Sequence, residues 1–296
     1  MTSDPNTASP RRVHTGTPIP EPEVPAGVEV IRDVAFGPHE RQSYDVYLPR
    51  DATRPLPVVV FFHPGAWTRR DKRAVRTMFV LEHGFALVSI GYRLAQHAPF
   101  PAQIQDANAG LRHLIEHADT YGIDTTRMVV AGTSAGAHLG TLAVLAKDVP
   151  EFAPVPGFNP CGMVAIYGAY DLPDMIANQD EMEIDHGGPD SALALMIGGD
   201  PAEHPEALKT MSPQTYVRPD APPFYILHGV EDIVLPWAQS ADFAASLARA
   251  GVAVNFETVQ GAGHGHELFR TAPVSDRIMA FIADVASRKS GQKPGS

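Results

Sequence analysis

The pentapeptide Gly132-Thr133-Ser134-Ala135-Gly136 constrains this chain more than any other stretch, because of what stands on either side of it. Before it runs the apolar Met128-Val129-Val130-Ala131, and after it Ala137 to Lys147 reads as a helix. A strand, a tight turn and a helix in that order put a serine at the tip of a strained turn with its hydroxyl exposed. The flanking glycines are needed there because any Cβ would collide with the neighbouring strand or helix. On its own such a pentapeptide arises by chance in a glycine-bearing chain, so its weight depends on partners elsewhere.

A nucleophilic serine needs a base within hydrogen-bond reach, a carboxylate to orient that base, and N–H donors for a developing oxyanion. The apolar run Pro223-Phe224-Tyr225-Ile226-Leu227 ends in His228-Gly229-Val230-Glu231-Asp232, which brings a carboxylate out just past a buried strand. The alternating stretch Val252 to Val259 is followed by the turn Gly261-Ala262-Gly263-His264, which presents a histidine at the same sheet edge. Serine, aspartate and histidine in that chain order, 98 and then 32 positions apart, follow the order of α/β-hydrolases rather than of the other serine-hydrolase folds.

Further stretches complete a pattern: His63-Pro64-Gly65-Ala66-Trp67, Gly91-Tyr92-Arg93-Leu94 through Pro99-Phe100-Pro101-Ala102 with Asp106, Tyr121-Gly122-Ile123-Asp124, and His138-Leu139 after the pentapeptide. Taken together, residues 63 to 264 resemble the α/β-hydrolase esterases of the hormone-sensitive-lipase and feruloyl/acetyl-esterase-like group. The resemblance implies Ser134 as nucleophile, Asp232 as acid and His264 as base. It also implies an oxyanion hole made by the N–H groups of Gly65, Ala66 and Ala135. The chain departs from the group's H-G-G-G here: Pro64 has no N–H to give, and Ala66 stands where the group has glycine, which restricts the loop and adds a methyl group near the acyl site.

Rival residues fall into place by position. His266, two residues past His264, is the alternative base, and the Gly-Ala-Gly turn favours His264. Glu231 could orient a histidine as well as Asp232 could, but adjacent carboxylates cannot both face it, and the H-G-x-x-D spacing selects Asp232. His63 is expected to shape the oxyanion loop, His138 to pack beneath the elbow, and Asp106 to act structurally near a helix start. Trp67 and Tyr167 lie near predicted strand ends and are candidate substrate contacts; Tyr92, Tyr170 and Trp237 share that position, and core packing explains each equally well.

Composition narrows the partners. A net charge of −11 argues against nucleic acid and against an anionic membrane surface, whose charges would repel it. One cysteine, Cys161, rules out an internal disulfide and a cysteine zinc cluster, and reads as a small buried hydrophobe. The 13 histidines include His264-Gly265-His266 but no H-E-x-x-H, so no metal and no cofactor is expected. Residues 1–26 read as a flexible arm without a signal-peptide core, residues 27–287 as one catalytic domain, and residues 288–296 as a disordered tail. With no stretch of about 20 apolar residues, a soluble cytoplasmic protein is expected. Oligomeric state is open, a homodimer being one option.

The remaining apolar runs predict an eight-stranded, mostly parallel sheet. Val28 to Ala35 and Ser43 to Leu48 read as antiparallel leading strands, followed by Pro57 to Phe62, Ala86 to Ile90, Met128 to Gly132, Met163 to Tyr167, Phe224 to His228 and Val252 to Val259. Helices on both faces are expected at Asp71 to His83, Gln103 to Tyr121, Ala135 to Lys147, Ala238 to Ala250 and Val274 to Ser287. An insert from Leu172 to Ala221, rich in acid, Pro and Gly, would form a small flap after the sixth strand. The expected chemistry is hydrolysis of small carboxylic esters of short acyl chains through an acyl-enzyme. An amide or formamide hydrolase, such as an arylformamidase, would use the same groups, and a non-catalytic ligand-binding protein could share the scaffold.

Overall fold

A computed structural model describes residues 22–179 and 182–288. The strands are β1 (Val28–Ala35), β2 (Ser43–Pro49), β3 (Leu56–Phe62), β4 (Ala86–Ile90), β5 (Ile123–Thr133), β6 (Gly162–Ile166), β7 (Phe224–Gly229) and β8 (Val254–Val259). They form one sheet in the order β1-β2-β4-β3-β5-β6-β7-β8. Only β2 runs against its neighbours, and β4 through β8 are parallel. This is the α/β-hydrolase fold.

The parallel strands are apolar at successive positions because both faces are covered. Val58, Val60 and Phe62 point into one core with Leu111, Leu139 and Leu247, whereas Val59 and Phe61 point into the other with Ile278 and Ile282. The helices that supply these residues are α1 (Ala102–Glu116), α3 (Ala135–Leu145) and α7 (Trp237–Arg249) on the first side and α8 (Val274–Ser287) on the second. Every residue of α3 is buried, His138 and Thr141 included, so this helix is specified by tertiary packing, not by amphipathic patterning.

Two helix expectations are corrected. Asp71 to His83 is helical only as a 3₁₀ turn at Met78–His83. The preceding residues are tied individually to the sheet: Lys72 reaches Asp33 at 2.5 Å and Asp45 at 3.5 Å, and Ser89 Oγ donates to the Lys72 carbonyl at 2.6 Å. Those bonds fix the backbone in a form that a helical ladder cannot share. The stretch expected as one helix from Gln103 to Tyr121 breaks at His117, whose Nδ1 bonds the His113 carbonyl, and a separate short helix α2 (Ala118–Tyr121) follows.

The insert after β6 holds three short helices, α4 (Leu172–Ala177), α5 (Ala192–Ile197) and α6 (Pro205–Met211), joined by turns. The expected arm and tail fall largely outside the described residues, although Val24 packs against the second core. Among the described residues, no helix is long and apolar enough to cross a membrane.

Candidate active site

Five adjacent parallel strands deliver their carboxyl ends to one edge, where open α/β sheets bind ligands. His63 follows β3, Ser134 follows β5, Tyr167 follows β6, Asp232 follows β7 and His264 follows β8. Ser134 sits at φ 54° and ψ −125°, with its N–H bonded to the Ile166 carbonyl at 3.0 Å. That conformation is uncommon for a residue with a side chain and persists only when the surroundings fix it. Close approach also explains both glycines, since a Cβ on Gly132 would lie 2.3 Å from the Gly136 oxygen and one on Gly136 would lie 2.0 Å from the Phe62 oxygen.

His264 Nε2 lies 2.9 Å from Ser134 Oγ, and its Nδ1 lies 2.7 Å from Asp232 Oδ2. A carboxylate can only accept, so Nδ1 carries the proton and Nε2 of the neutral ring is left to accept from the serine hydroxyl. The other Asp232 oxygen, Oδ1, accepts the Val234 and Leu235 N–H groups at 2.8 and 2.9 Å. Burial works against ionising Asp232, but the hydrogen bonds from His228 and His264 outweigh it and hold the carboxyl well below its ordinary range.

One partner was not foreseen. His228 has no solvent exposure; its Nε2 lies 3.0 Å from Asp232 Oδ2, and its Nδ1 lies 2.6 Å from Ser240 Oγ. The H-G-x-x-D motif contains this histidine, and its spacing of four from the aspartate across a turn is the signal that could have shown the bond. Glu231 is exposed, His266 is exposed and caps a 3₁₀ turn through a bond from Leu268 N–H, and neither enters the relay. Asp106 is held by Arg93 in a two-pronged pair, each bond 2.8 Å, and by Gln42.

The loop after β3 turns through left-handed backbone, with φ of 132° at Gly65, 49° at Ala66 and 56° at Trp67. Thr68 and Arg69 N–H both return to the Gly65 carbonyl at 3.0 Å, Ala95 N–H bonds the Trp67 carbonyl at 2.9 Å, and the Tyr92 hydroxyl donates to the His63 carbonyl at 2.8 Å. The N–H groups of Gly65, Ala66 and Ala135 have no acceptor among the described residues. His63 stacks flat on Tyr92 with centroids 4.1 Å apart, and burial followed by the Arg41 charge lowers its proton affinity to about 3, so the ring is neutral.

Trp67 is 4% exposed, and its indole N–H donates to His138 Nδ1 at 3.1 Å. His138 is buried beneath the elbow, pushed down to about 4 by that burial, and its Nε2 donates to the Met211 carbonyl at 2.7 Å. One neutral ring therefore joins the β3 loop to the end of α6 in the insert. Tyr167 is 3% exposed, lies against the His264 ring at 4.7 Å and packs on Phe269. Among the described residues, no group of three or more His, Cys, Asp or Glu could hold a metal ion. A cavity of about 490 Å³ beside Asp232 is lined by Met182, Glu231, Ile233 and Trp237, and Ser134 is not among its walls.

The BD-FAE family model matches residues 44–247. Esterase LipC of Mycobacterium tuberculosis (strain ATCC 25618 / H37Rv) is 32% identical over 267 residues, which cover 86% of this chain and 65% of LipC. Carboxylesterase NlhH of the same organism is 31% identical over 229 residues, covering 76% of this chain and 70% of NlhH. The chain spans just under two thirds of LipC and of esterase LipQ, at 65% and 64%. Among solved structures, a truncated form of a carbohydrate esterase from gut microbiota superposes with a TM-score of 0.79 at 25% identity, covering 88% of this chain and 97% of that one.

Proposed function

This chain belongs to the BD-FAE family of α/β-hydrolases, and on that premise we propose that it is a serine hydrolase cleaving carboxylic esters of short acyl chains. The observation that carries the reading is the unbroken line of hydrogen bonds from Ser134 through His264 to Asp232, at a sheet edge where the Gly65, Ala66 and Ala135 N–H groups have no acceptor among the described residues. In this reading Ser134 Oγ attacks the ester carbonyl as His264 Nε2 takes its proton, and Asp232 stabilises the imidazolium. The N–H groups of Gly65, Ala66 and Ala135 receive the oxyanion. His264 returns the proton to the leaving alcohol, then draws one from water, which attacks the acyl-enzyme and releases the acid. The relatives LipC, an esterase, and NlhH, a carboxylesterase, support the choice of ester over amide.

The preference for short chains rests on the insert, whose described helices have only six or seven residues. Such a flap encloses little apolar surface, and each buried methylene is worth at most about 0.8 kcal/mol. Across p-nitrophenyl esters, kcat/KM is expected to peak at roughly two to four acyl carbons and to fall steeply by about ten. A maximum at long chains, or activation at a lipid–water interface, would overturn the short-chain reading. A parallel panel of N-formyl and N-acetyl aryl amides, if turned over faster than the esters, would replace the esterase reading with that of an amide hydrolase.

A further inference from the structure

Most arginines of this acidic protein are tied down. Arg93 pairs with Asp106, Arg127 with Asp124, Arg218 with Asp148 and Asp220, and Arg277 with Glu257. Arg41, Arg54 and Arg112 are spent on backbone carbonyls. Among the described residues Arg50 and Arg69 use only their backbone N–H groups, and three more arginines stand apart because they lie near one another. The guanidinium groups of Arg70, Arg76 and Arg270 have neither a carboxylate nor a carbonyl partner among the described residues, and Arg76 Nε is shut off from solvent with no acceptor at all. A buried charge-bearing donor left without an acceptor is costly, and a chain with 34 acidic residues had many ways to avoid it.

These three arginines come together beside the proposed catalytic groups. Arg76 follows the β3 loop by ten positions, and Arg270 adjoins Phe269, whose ring packs on Tyr167 at 4.8 Å. Val75 and Leu268 pack on the same core as Tyr167 and Phe269, a Cβ on Gly65 would lie 3.2 Å from Arg70 Cβ, and Arg76 is within electrostatic reach of Arg270, Arg70 and the Tyr167 ring. Tyr167 in turn feels both Arg76 and Arg270 and lies against the His264 ring at 4.7 Å. The nearby carboxylates are already engaged, Asp71 by Arg73 at 2.6 Å and Asp232 by four donors. Mutual repulsion among guanidinium groups is relieved by an anion, which each can bind through parallel N–H bonds.

We propose that Arg76 and Arg270, with Arg70, form an anion-binding subsite beside Tyr167, and that the preferred substrates are esters bearing a carboxylate or phosphate-like group near the scissile bond. The inference rests on the serine-hydrolase reading and deepens it. A net charge of −11 repels anionic esters at a distance, so the local cluster is what selects them at the site.

The test measures kcat/KM for matched esters on the full chain at low salt. On the leaving side, the acetyl esters of 4-hydroxyphenylacetate and 4-hydroxybenzylphosphonate are compared with that of 4-hydroxyphenylacetamide. On the acyl side, the p-nitrophenyl hemiester of adipate is compared with p-nitrophenyl hexanoate. An anion-to-neutral ratio of roughly tenfold or more is expected in at least one arm, decaying towards parity at about 0.5 M salt. Within the leaving-side arm, the carboxylate and phosphonate distinguish the two anion types. Arg76→Gln should remove most of the preference and Arg270→Gln part of it, whereas Arg249→Gln, on the far end of α7, should leave the ratio where it was. If Arg76→Gln does not fold, the exposed Arg270 and the salt series on the unmodified chain decide.

A ratio at or below one in both arms, with neutral esters still cleaved through Ser134, overturns the subsite alone. Ester cleavage that survives Ser134→Ala overturns the hydrolase reading, and the subsite with it.

Discussion

The loops after β7 and β3 meet at the same sheet edge and are built on opposite plans. After β7, Asp232 is filled: two backbone N–H groups occupy Oδ1 and two histidines occupy Oδ2, and the second of these, His228, is itself bonded to Ser240. After β3, the backbone is bent through three left-handed residues and the N–H groups of Gly65 and Ala66 are left unfilled. One loop carries a charge that must already be in place before any reaction. In the proposed reaction the other offers dipoles to a charge that does not yet exist. Both are pre-organised, but the first is closed and the second is open, and a site that stabilises a transient oxyanion needs one of each.

The largest effects should come from cutting the closed side where it meets the open one. Ser134→Ala and His264→Ala are each expected to lower kcat by around 10⁵ to 10⁶, and Asp232→Asn by about 10⁴, with little change in KM. His266→Ala, at an exposed ring outside the relay, should leave kcat within about threefold. Equal damage from His266→Ala and His264→Ala in the same ester assay would reassign the base.

Next in size is the anchor of the open loop. His138 takes the Trp67 indole N–H and donates to the Met211 carbonyl, which only a neutral ring can do. Its folded proton affinity is lowered to about 4, and that of His63 to about 3, in each case chiefly by burial. An unfolded histidine titrates near 6.5, so between about 6.5 and 4 the unfolded chain binds the proton and the folded one does not. The stability associated with a neutral His138 is therefore full above about pH 6.5 and is lost as pH falls towards its folded value, by roughly 3 kcal/mol in all. Urea unfolding at pH 7, 5.5 and 4.5 should show this slope, and His138→Gln, which can keep both bonds, should reduce it. An unchanged slope in the variant would sever the link between this ring and the loop.

The contrast between the loops also marks what the sequence could convey. The strand, turn and helix around Ser134 are legible because apolar runs and glycines report local geometry directly, and the carboxylate and histidine turns are legible because each ends an apolar strand. Bonds across the fold leave no such trace. His138 and Met211 are 73 positions apart and meet only because α6 returns to the elbow. His228 is closer to its partner, yet a histidine closing a buried strand reads as core until the turn brings Asp232 back over it. The stretch from Asp71 misled in the opposite sense: its charges suit a helix surface, but Lys72 is claimed by Asp33 and Asp45 from the sheet. Arg76 and Arg270 are 194 positions apart in the sequence (270 − 76) and share no pattern at all.

A smaller effect probes the second donor on Asp232. His228→Gln removes the imidazole from an oxygen that His264 also uses, so the carboxylate is fixed less firmly and orients the His264 ring less well. The kcat should fall by roughly tenfold with little change in KM. An unchanged kcat at lowered stability would make His228 a packing residue only.

The smallest expected effect tests whether the open loop owes its shape to its anchors or to its own stiffness. Ala66 holds φ 49°, a region that costs a residue with a Cβ roughly 1 kcal/mol and glycine almost nothing. Against that relief, glycine gains freedom in the unfolded chain that folding must remove, about 0.5 to 1 kcal/mol. The two nearly cancel, so Ala66→Gly should change stability by less than about 1 kcal/mol. If the bonds of Trp67 to His138, of Ala95 to Trp67 and of Tyr92 to His63 set the direction of the donors, kcat should stay within about threefold, because the N–H of residue 66 is retained and still faces the same way. A loss beyond about tenfold at unchanged stability would mean that the left-handed alanine itself aims the donor, and that the open loop is held by local strain, not by the contacts around it.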